Sequence, residues 1–300
     1  MNFMRSVAEK YPEYAEVESI GRSYENREML YIRIGYPTGR AKKTMLVDAG
    51  IHARQWISSA TALYFIEKLV VDTKYINLLE AIDIVVISNM NPDGYEYSRR
   101  HDRLWKKTRS KSSKRCYGVD LNRNFPFKWG YSGSSDNACS SVYHGPEALS
   151  EVESRNLAQF LDANNDSIKA YVSLHSYGQN IIYPWGYESN TCPSDIDDLR
   201  ELGLAAAKVI QSKFGSTYIV GSSADDLYPA SGSSDDYAKS LGIKYAYTIE
   251  LQPGSQPMDN AGYYGFQLPQ KFILSAAEEA SVALLVIAEK IAGIESSENR

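Results

Sequence analysis

Apolar positions along this chain come in two rhythms. Short, nearly unbroken runs alternate with longer stretches in which apolar residues return every three or four positions. Lys43 to Gly50, with Thr44-Met45-Leu46-Val47-Asp48-Ala49 at its centre, and Ile82 to Ser88 are runs of the first kind, as expected of strands covered on both faces. Ala60, Leu63, Ile66 and Leu69 are spaced as one face of a helix, which the sequence places from a cap at Ser58 or Ser59 to about Val71. The same reading gives a helix ending at residue 10 and a hairpin of strands at Glu16 to Ile20 and Met29 to Ile34 around a turn at Gly21 to Arg27. It then gives helices at Glu147 to Ala163 and Leu199 to Phe214, with a strand at Ile168 to Leu174 between them. A short helix at Asp236 to Leu241, a strand at Lys244 to Leu251 and a last helix from Gln270 to Ile291 complete the series.

Asn91-Pro92-Asp93-Gly94 reads as a turn, since these residue types suit turn geometry. From Tyr95 to Gly145 the periodicity dissolves into Gly, Ser, Asn and charge, and a loop that long in a compact domain is usually functional. Strands alternating with helices imply an α/β protein with a mixed sheet between helical layers. No repeat or linker divides residues 1–300, so one domain is expected.

Composition narrows the function classes. A net charge of −5 argues against a nucleic-acid partner, which favours a strongly basic face. The run from Arg99 to Lys114 is the local exception; Trp105 and the turn-rich flanks make it a solvated loop with one or two functional cations. Glu278, Glu279, Glu289 and Lys290 interrupt the apolar stretch from Ala276 to Ala292, so no membrane partner is expected. The first six residues lack the apolar core of a signal peptide. Three cysteines suit one disulfide plus one free thiol, which points to an oxidising compartment.

Candidate chemistry gathers where strands end, because open α/β sheets bind ligands beyond their carboxyl edges. His52 follows the run ending at Ile51, His175 follows Ala170 to Leu174, and Glu250 closes Tyr245 to Ile249. Residue 55 lies three beyond His52, the spacing at which two side chains reach one metal ion, and it is Gln. Taken singly, each has an ordinary structural explanation: a hydrogen-bonded His, a capping carboxylate, an ion pair. Their shared position, in a chain with only 4 His, points to a metal site of His52, Gln55 and His175 with Glu250 as a base beside it. His101 and His144 sit in loops without ligand partners at metal spacing and are expected to be structural. No His-Glu-x-x-His pattern exists.

His52-Ala53-Arg54-Gln55-Trp56, Gly118-Val119-Asp120-Leu121-Asn122-Arg123-Asn124, Leu174-His175-Ser176-Tyr177 and Ala230-Ser231-Gly232-Ser233-Ser234-Asp235-Asp236 resemble, in order and spacing, zinc carboxypeptidases of the pancreatic A/B type. The resemblance implies an eight-stranded mixed sheet and Zn2+ on His52, residue 55 and His175. Glu250 would be general base and proton shuttle for a zinc-bound water. It implies that Asn122 and Arg123 grip the terminal carboxylate, that Arg54 and Tyr177 contact the substrate, and that Tyr228 closes over it. Asp235 falls at the floor of the specificity pocket, where an acid marks a preference for C-terminal Lys or Arg; capping the nearby helix is its alternative role. Cys116 and Cys139 would form the family's disulfide, worth about 3 kcal/mol in the chain-entropy model, leaving Cys192 free. Peptide and protein C-termini are the implied partners, together with proteinaceous inhibitors and the chain's own pro-segment. A secreted, extracellular monomer is expected, made as a zymogen and here read as the mature or trimmed catalytic domain.

Two positions depart from the pattern. Gln55 stands where the family has a Glu ligand, and Lys106 where it has the Arg that polarises the carbonyl. An amide removes one negative charge from the metal's surroundings, which weakens zinc while making bound water more acidic. Lys106 offers a point charge but no fork. Two readings follow: an exopeptidase of altered activity, or a non-catalytic or metal-impaired binding module for basic C-termini.

Overall fold

The structure is a computed structural model that describes residues 2–254 and 264–294. Its centre is an eight-stranded sheet in the order β1-β2-β4-β3-β5-β8-β6-β7. The strands are β1 (Ala15–Arg22), β2 (Glu28–Ile34), β3 (Lys43–Ala49), β4 (Ile82–Ile87), β5 (Ile168–Gly178), β6 (Asn180–Tyr183), β7 (Ile219–Ser222) and β8 (Tyr245–Gly254). The middle of the sheet, β4-β3-β5-β8, is parallel, and antiparallel pairings add β1, β2 and β6 around it. The mixed sheet and α/β class expected from the sequence are therefore present.

Alternation along each strand sorts the core into two layers. Met45, Val47, Val172, Leu174, Tyr247 and Ile249 face one cluster. Helices α1 (Asn2–Lys10), α2 (Trp56–Val71), α3 (Ile76–Ala81), α6 (Ile196–Phe214) and α8 (Ile273–Ala292) supply its other side. Leu46, Val85, Tyr171 and Ala246 face the second cluster, covered by α5 (Val152–Asn164) and α7 (Ser234–Ser240). The second face is the functional one. Parallel register sets His175 beside Glu250 and Ser173 beside Thr248, so the residues of this parity emerge together at the carboxyl ends of β5 and β8.

Several boundaries differ from expectation for identifiable reasons. Helix α2 begins at Trp56, with Gln55 as a cap whose side chain makes no capping bond; the Ser58 hydroxyl instead donates to the Gln55 carbonyl and accepts from Gly50 N–H. Asn91-Pro92-Asp93-Gly94 is not a turn but the start of α4 (Pro92–Arg100), with Asn91 capping Gly94 N–H and Pro92 in the first turn. The irregular region thus starts near residue 101, and it contains a single 3₁₀ turn at Leu121–Arg123 among its described residues. Helix α5 starts at Val152 rather than Glu147, after Leu149 takes a left-handed φ of 57°. His175 lies inside β5 rather than after it.

The site face buries a carboxyl deep in the sheet, Asp48 on β3. Tyr171 and Ser173 donate their hydroxyls to it. Burial pushes its carboxyl up to about 7; those hydroxyls oppose the shift and Asp235 adds to it. Burial likewise raises Glu153 on α5 to about 7. A raised carboxylic pKa means the folded state holds its proton longer than the unfolded chain, so the stability contribution is full below pH 4 and erodes as pH rises toward 7. Asp48→Asn is expected to flatten this slope. In urea unfolding at pH 5 and pH 8, the variant should lose less stability between the two values than the parent, by up to about 3 kcal/mol, since about two of the roughly three units of the shift lie above pH 5. An unchanged difference would rule Asp48 out as its source.

Candidate active site

The turn after β3 presents the first part of the site. Gln55 N–H closes on the His52 carbonyl at 3.1 Å, and Ala53 N–H donates to the Lys106 carbonyl at 3.0 Å, binding this turn to the irregular segment beside it. His52, Gln55 and His175 are all buried. The His52 and His175 rings meet nearly edge to face, with centroids 5.0 Å apart.

Hydrogen bonding fixes which atoms these side chains leave over. His52 Nε2 lies 2.8 Å from Asp120 Oδ1. An ionised carboxylate can only accept, so Nε2 carries the proton and Nδ1 keeps its lone pair. Gln55 Nε2 donates to the Ser176 carbonyl at 2.5 Å, which leaves Oε1 as its free atom. His52 Nδ1, Gln55 Oε1 and Glu250 Oε2 are buried without a hydrogen-bond partner. Among the described residues no three His, Cys, Asp or Glu side chains form a metal cluster, because the third member here is an amide.

Charges at the site are set chiefly by burial. It lowers His52 to about 4, with Asp120 working the other way. Burial also holds His175 well below the usual imidazole range, aided by His52, so both rings are neutral and able to donate lone pairs. Glu250 is pushed up to about 8 by burial, with Lys106 opposing. Burial alone would raise Asp120 as well, but Lys106, His52 and Arg123 outweigh it and keep this carboxylate well below its ordinary value. Lys106 Nζ reaches Asp120 Oδ2 at 2.6 Å.

The structure brings most of the sequence candidates together. His52, His175, Asn122, Arg123, Tyr228, Asp235 and Glu250 line one cavity. Asn122 Oδ1 accepts Ser234 N–H at 3.0 Å, and Arg123 donates Nε to the Gly133 carbonyl and one terminal nitrogen to its neighbour's carbonyl. Asp235 accepts from Thr248 Oγ1 and Asp236 N–H. Tyr228 keeps 53% of its surface in solvent, yet its phenol is raised by the burial of its tip and meets Arg123.

Arg54 and Tyr177 stand apart, at a rim built on Phe266. Arg54 stacks over the Phe266 ring at 3.9 Å, and Tyr177 meets the same ring edge-on at 4.9 Å. The basic run is not merely solvated. Arg103 donates to the Arg54 and Phe266 carbonyls, and Arg109 stacks on Tyr97 at 3.6 Å. His101 and His144 lie outside the cavity; His144 bonds the Gly145 carbonyl and packs on Trp129. Cys116 and Cys139 form a disulfide, and Cys192 is free and exposed.

Asp120, Phe266 and Gly133 were not assigned by sequence reasoning. Asp120 carried a signal, as an acid within the motif that supplies Asn122 and Arg123. Phe266 and Gly133 carried none, because their importance lies in contacts made across the fold.

The protein-family model described as zinc carboxypeptidase matches residues 1–283. Carboxypeptidase B of Astacus astacus is 41% identical over 290 residues, spanning 95% of this chain and 93% of that protein. Carboxypeptidase A4 of Mus musculus is 40% identical over 293 residues, spanning 96% of this chain and 68% of that one. Among solved structures, bovine thrombin-activatable fibrinolysis inhibitor, in complex with tick carboxypeptidase inhibitor, superposes with a TM-score of 0.90 at 37% identity, covering 97% of this chain and 95% of that one. With a matching fold, two neutral histidines beside a buried glutamate, and a family match along nearly its whole length, the chain belongs to the zinc carboxypeptidase family of metallopeptidases.

Proposed function

We propose that this chain hydrolyses the C-terminal residue of peptides, with a preference for Lys or Arg, using zinc held by His52, Gln55 and His175. The supporting observation is the set of buried polar atoms left unsatisfied beside the His175 ring. Such atoms cost about 1–3 kcal/mol each, and a cation taking lone pairs from His52 Nδ1 and Gln55 Oε1 removes that cost. When bound, zinc supplies Lewis acidity at the scissile carbonyl and lowers the pKa of water in its shell.

The remaining roles belong to the chain. Glu250 takes a proton from the attacking water and returns one to the leaving amine, and its raised carboxyl suits both duties. Asn122 and Arg123 bind the terminal carboxylate: with Asn122 Oδ1 committed to Ser234, its amide nitrogen is left to donate, and an Arg fork matches a planar carboxylate. Tyr228 covers the bound end, while Arg54 and Tyr177 receive the chain leading to it. Lys106 stabilises the developing oxyanion as a point charge held in place by Asp120. Asp235 supports the basic preference. It is buried and makes no ion pair among the described residues, so a substrate ammonium or guanidinium relieves an otherwise costly charge.

The disulfide fits secretion into an oxidising compartment, and among the described residues no helix is long and apolar enough to cross a membrane. Peptide and protein C-termini are the proposed partners. Proteinaceous inhibitors and a pro-segment are proposed to occupy the same cleft of a monomer.

Three experiments test these assignments. Zinc per chain and release of arginine from a short peptide should both be measurable for the protein as it stands. Gln55→Glu should lower the metal-free melting temperature, because a carboxylate oxygen replaces the donor facing the Ser176 carbonyl, and should enlarge the stabilisation gained on adding zinc. A metal-free, inert parent whose Gln55→Glu variant recovers both properties would instead identify the chain as a metal-impaired binding module. Asp235→Asn should reduce kcat/KM for C-terminal Arg at least about thirtyfold relative to C-terminal Leu, and equal losses on both substrates would refute the pocket assignment. Lys106→Met should lower kcat about a hundredfold or more with little change in KM, whereas a pure KM effect would remove Lys106 from the chemical step.

A further inference from the structure

Two backbone carbonyls hold the Arg123 guanidinium, and backbone crowds its main chain. Its Nε donates to the Gly133 carbonyl at 2.9 Å, a terminal nitrogen donates to the Asn122 carbonyl at 2.8 Å, and its own carbonyl lies where a side chain at Gly232 would come, 2.5 Å from an added Cβ. Gly133 is at a φ of +58°, and a Cβ there would stand 1.9 Å from the Pro229 carbonyl oxygen and 2.9 Å from Ala230 Cα. Both obstacles are backbone, so they cannot swing aside as a side chain would. Next to it, Ser132 N–H donates to Ser231 Oγ at 2.9 Å, and the Ser132 carbonyl accepts from Ser231 N–H at 3.0 Å and from Ser231 Oγ at 2.9 Å.

Residues 132 and 133 are therefore wedged between Arg123 and the segment 229–232, which directly follows Tyr228. One face of the wedge orients the guanidinium and the other seats the strand of chain carrying the phenol that meets it. We propose that Gly133 is a positioning residue for recognition of the C-terminal carboxylate: its carbonyl aims Arg123, and its bare α-carbon admits the Tyr228 segment at the distance the clamp needs. This rests on the reading of Arg123 as the carboxylate-binding group. A methyl group at position 133 must displace the Pro229 carbonyl, which shifts the segment carrying Tyr228, or its own, which takes the acceptor away from Arg123 Nε. Asp235 has anchors of its own in Thr248 and Asp236 and makes no hydrogen bond to residues 132 and 133.

The test compares two ligands that differ only at the carboxylate, L-arginine and L-argininamide, whose binding to the zinc-loaded protein is measured by calorimetry. The parent should prefer L-arginine at least tenfold. Gly133→Ala should bring that ratio close to one, chiefly by weakening L-arginine, with L-argininamide bound as before. Arg123→Gln should do the same. A Gly133→Ala protein that keeps the parent ratio, or that weakens both ligands equally as general loosening would, overturns the proposal. Should Arg123→Gln, or the parent itself, fail to show dependence on the carboxylate, the underlying reading of Arg123 fails instead. If Gly133→Ala does not fold, Ser231→Ala decides: it removes only the hydroxyl bonds to Ser132, and the ratio should fall about threefold, an unchanged ratio again overturning the proposal.

Discussion

The site depends on one buried charge. Asp120 has no exposed surface, and a carboxylate there is tolerable only if its lone pairs are filled by strong donors. His52 and Lys106 occupy its two oxygens, and Asn122 N–H adds a third bond. Those partners come from separate stretches of chain: the turn after β3, the basic segment after α4, and the 3₁₀ turn carrying Asn122 and Arg123. Each is irregular by itself. Their common need to satisfy one carboxylate makes them rigid, and it also selects the His52 tautomer and opposes the lowering that burial imposes on Lys106. Asp120 thus converts a long loop region into part of the scaffold.

The sheet supplies what Asp120 cannot. Parallel pairing of β5 with β8 places His175 directly beside Glu250, and a slip of either strand by one residue would turn its member of the pair to the opposite face. Such a slip is prevented by the large residues on that face, Tyr245, Tyr247 and Ile249 against Val172 and Leu174, all within the main core. The packing that stabilises the domain is therefore also what aligns the proposed base with a proposed ligand. Catalytic geometry and core stability share one constraint here.

Much of this was legible in the sequence, and the exceptions share a cause. Central strands were recognisable because burial on both faces requires continuous apolar runs. The edge-side strands β6 and β7 were missed; at four residues each they are too short to show a period. Helix α4 was read as a turn because Asn-Pro-Asp-Gly serves equally well to reverse a chain or to start a helix, and only the context beyond decides. Helix α2 was started late because Ser58 looked like a cap, whereas its hydroxyl joins Gln55 to Gly50. Within the site the residue types were readable but their wiring was not. The bond between His52 and Asp120 spans 68 positions, and no local pattern encodes such a separation.

Gln55 gains a more definite meaning from its surroundings. Its amide nitrogen is held by the Ser176 carbonyl, a partner that a carboxylate would repel, so the local backbone is complementary to an amide rather than merely tolerant of one. The neighbourhood already sets the Asp120 carboxylate against Lys106 and Arg123. In the proposed zinc site an anionic third ligand would compensate the metal's charge more fully and hold it more firmly; a neutral one would leave more of that charge to act on water and substrate. In that proposed site the amide would exchange binding strength for Lewis acidity, and the Ser176 contact would limit part of the loss by fixing the amide oxygen before any metal arrives.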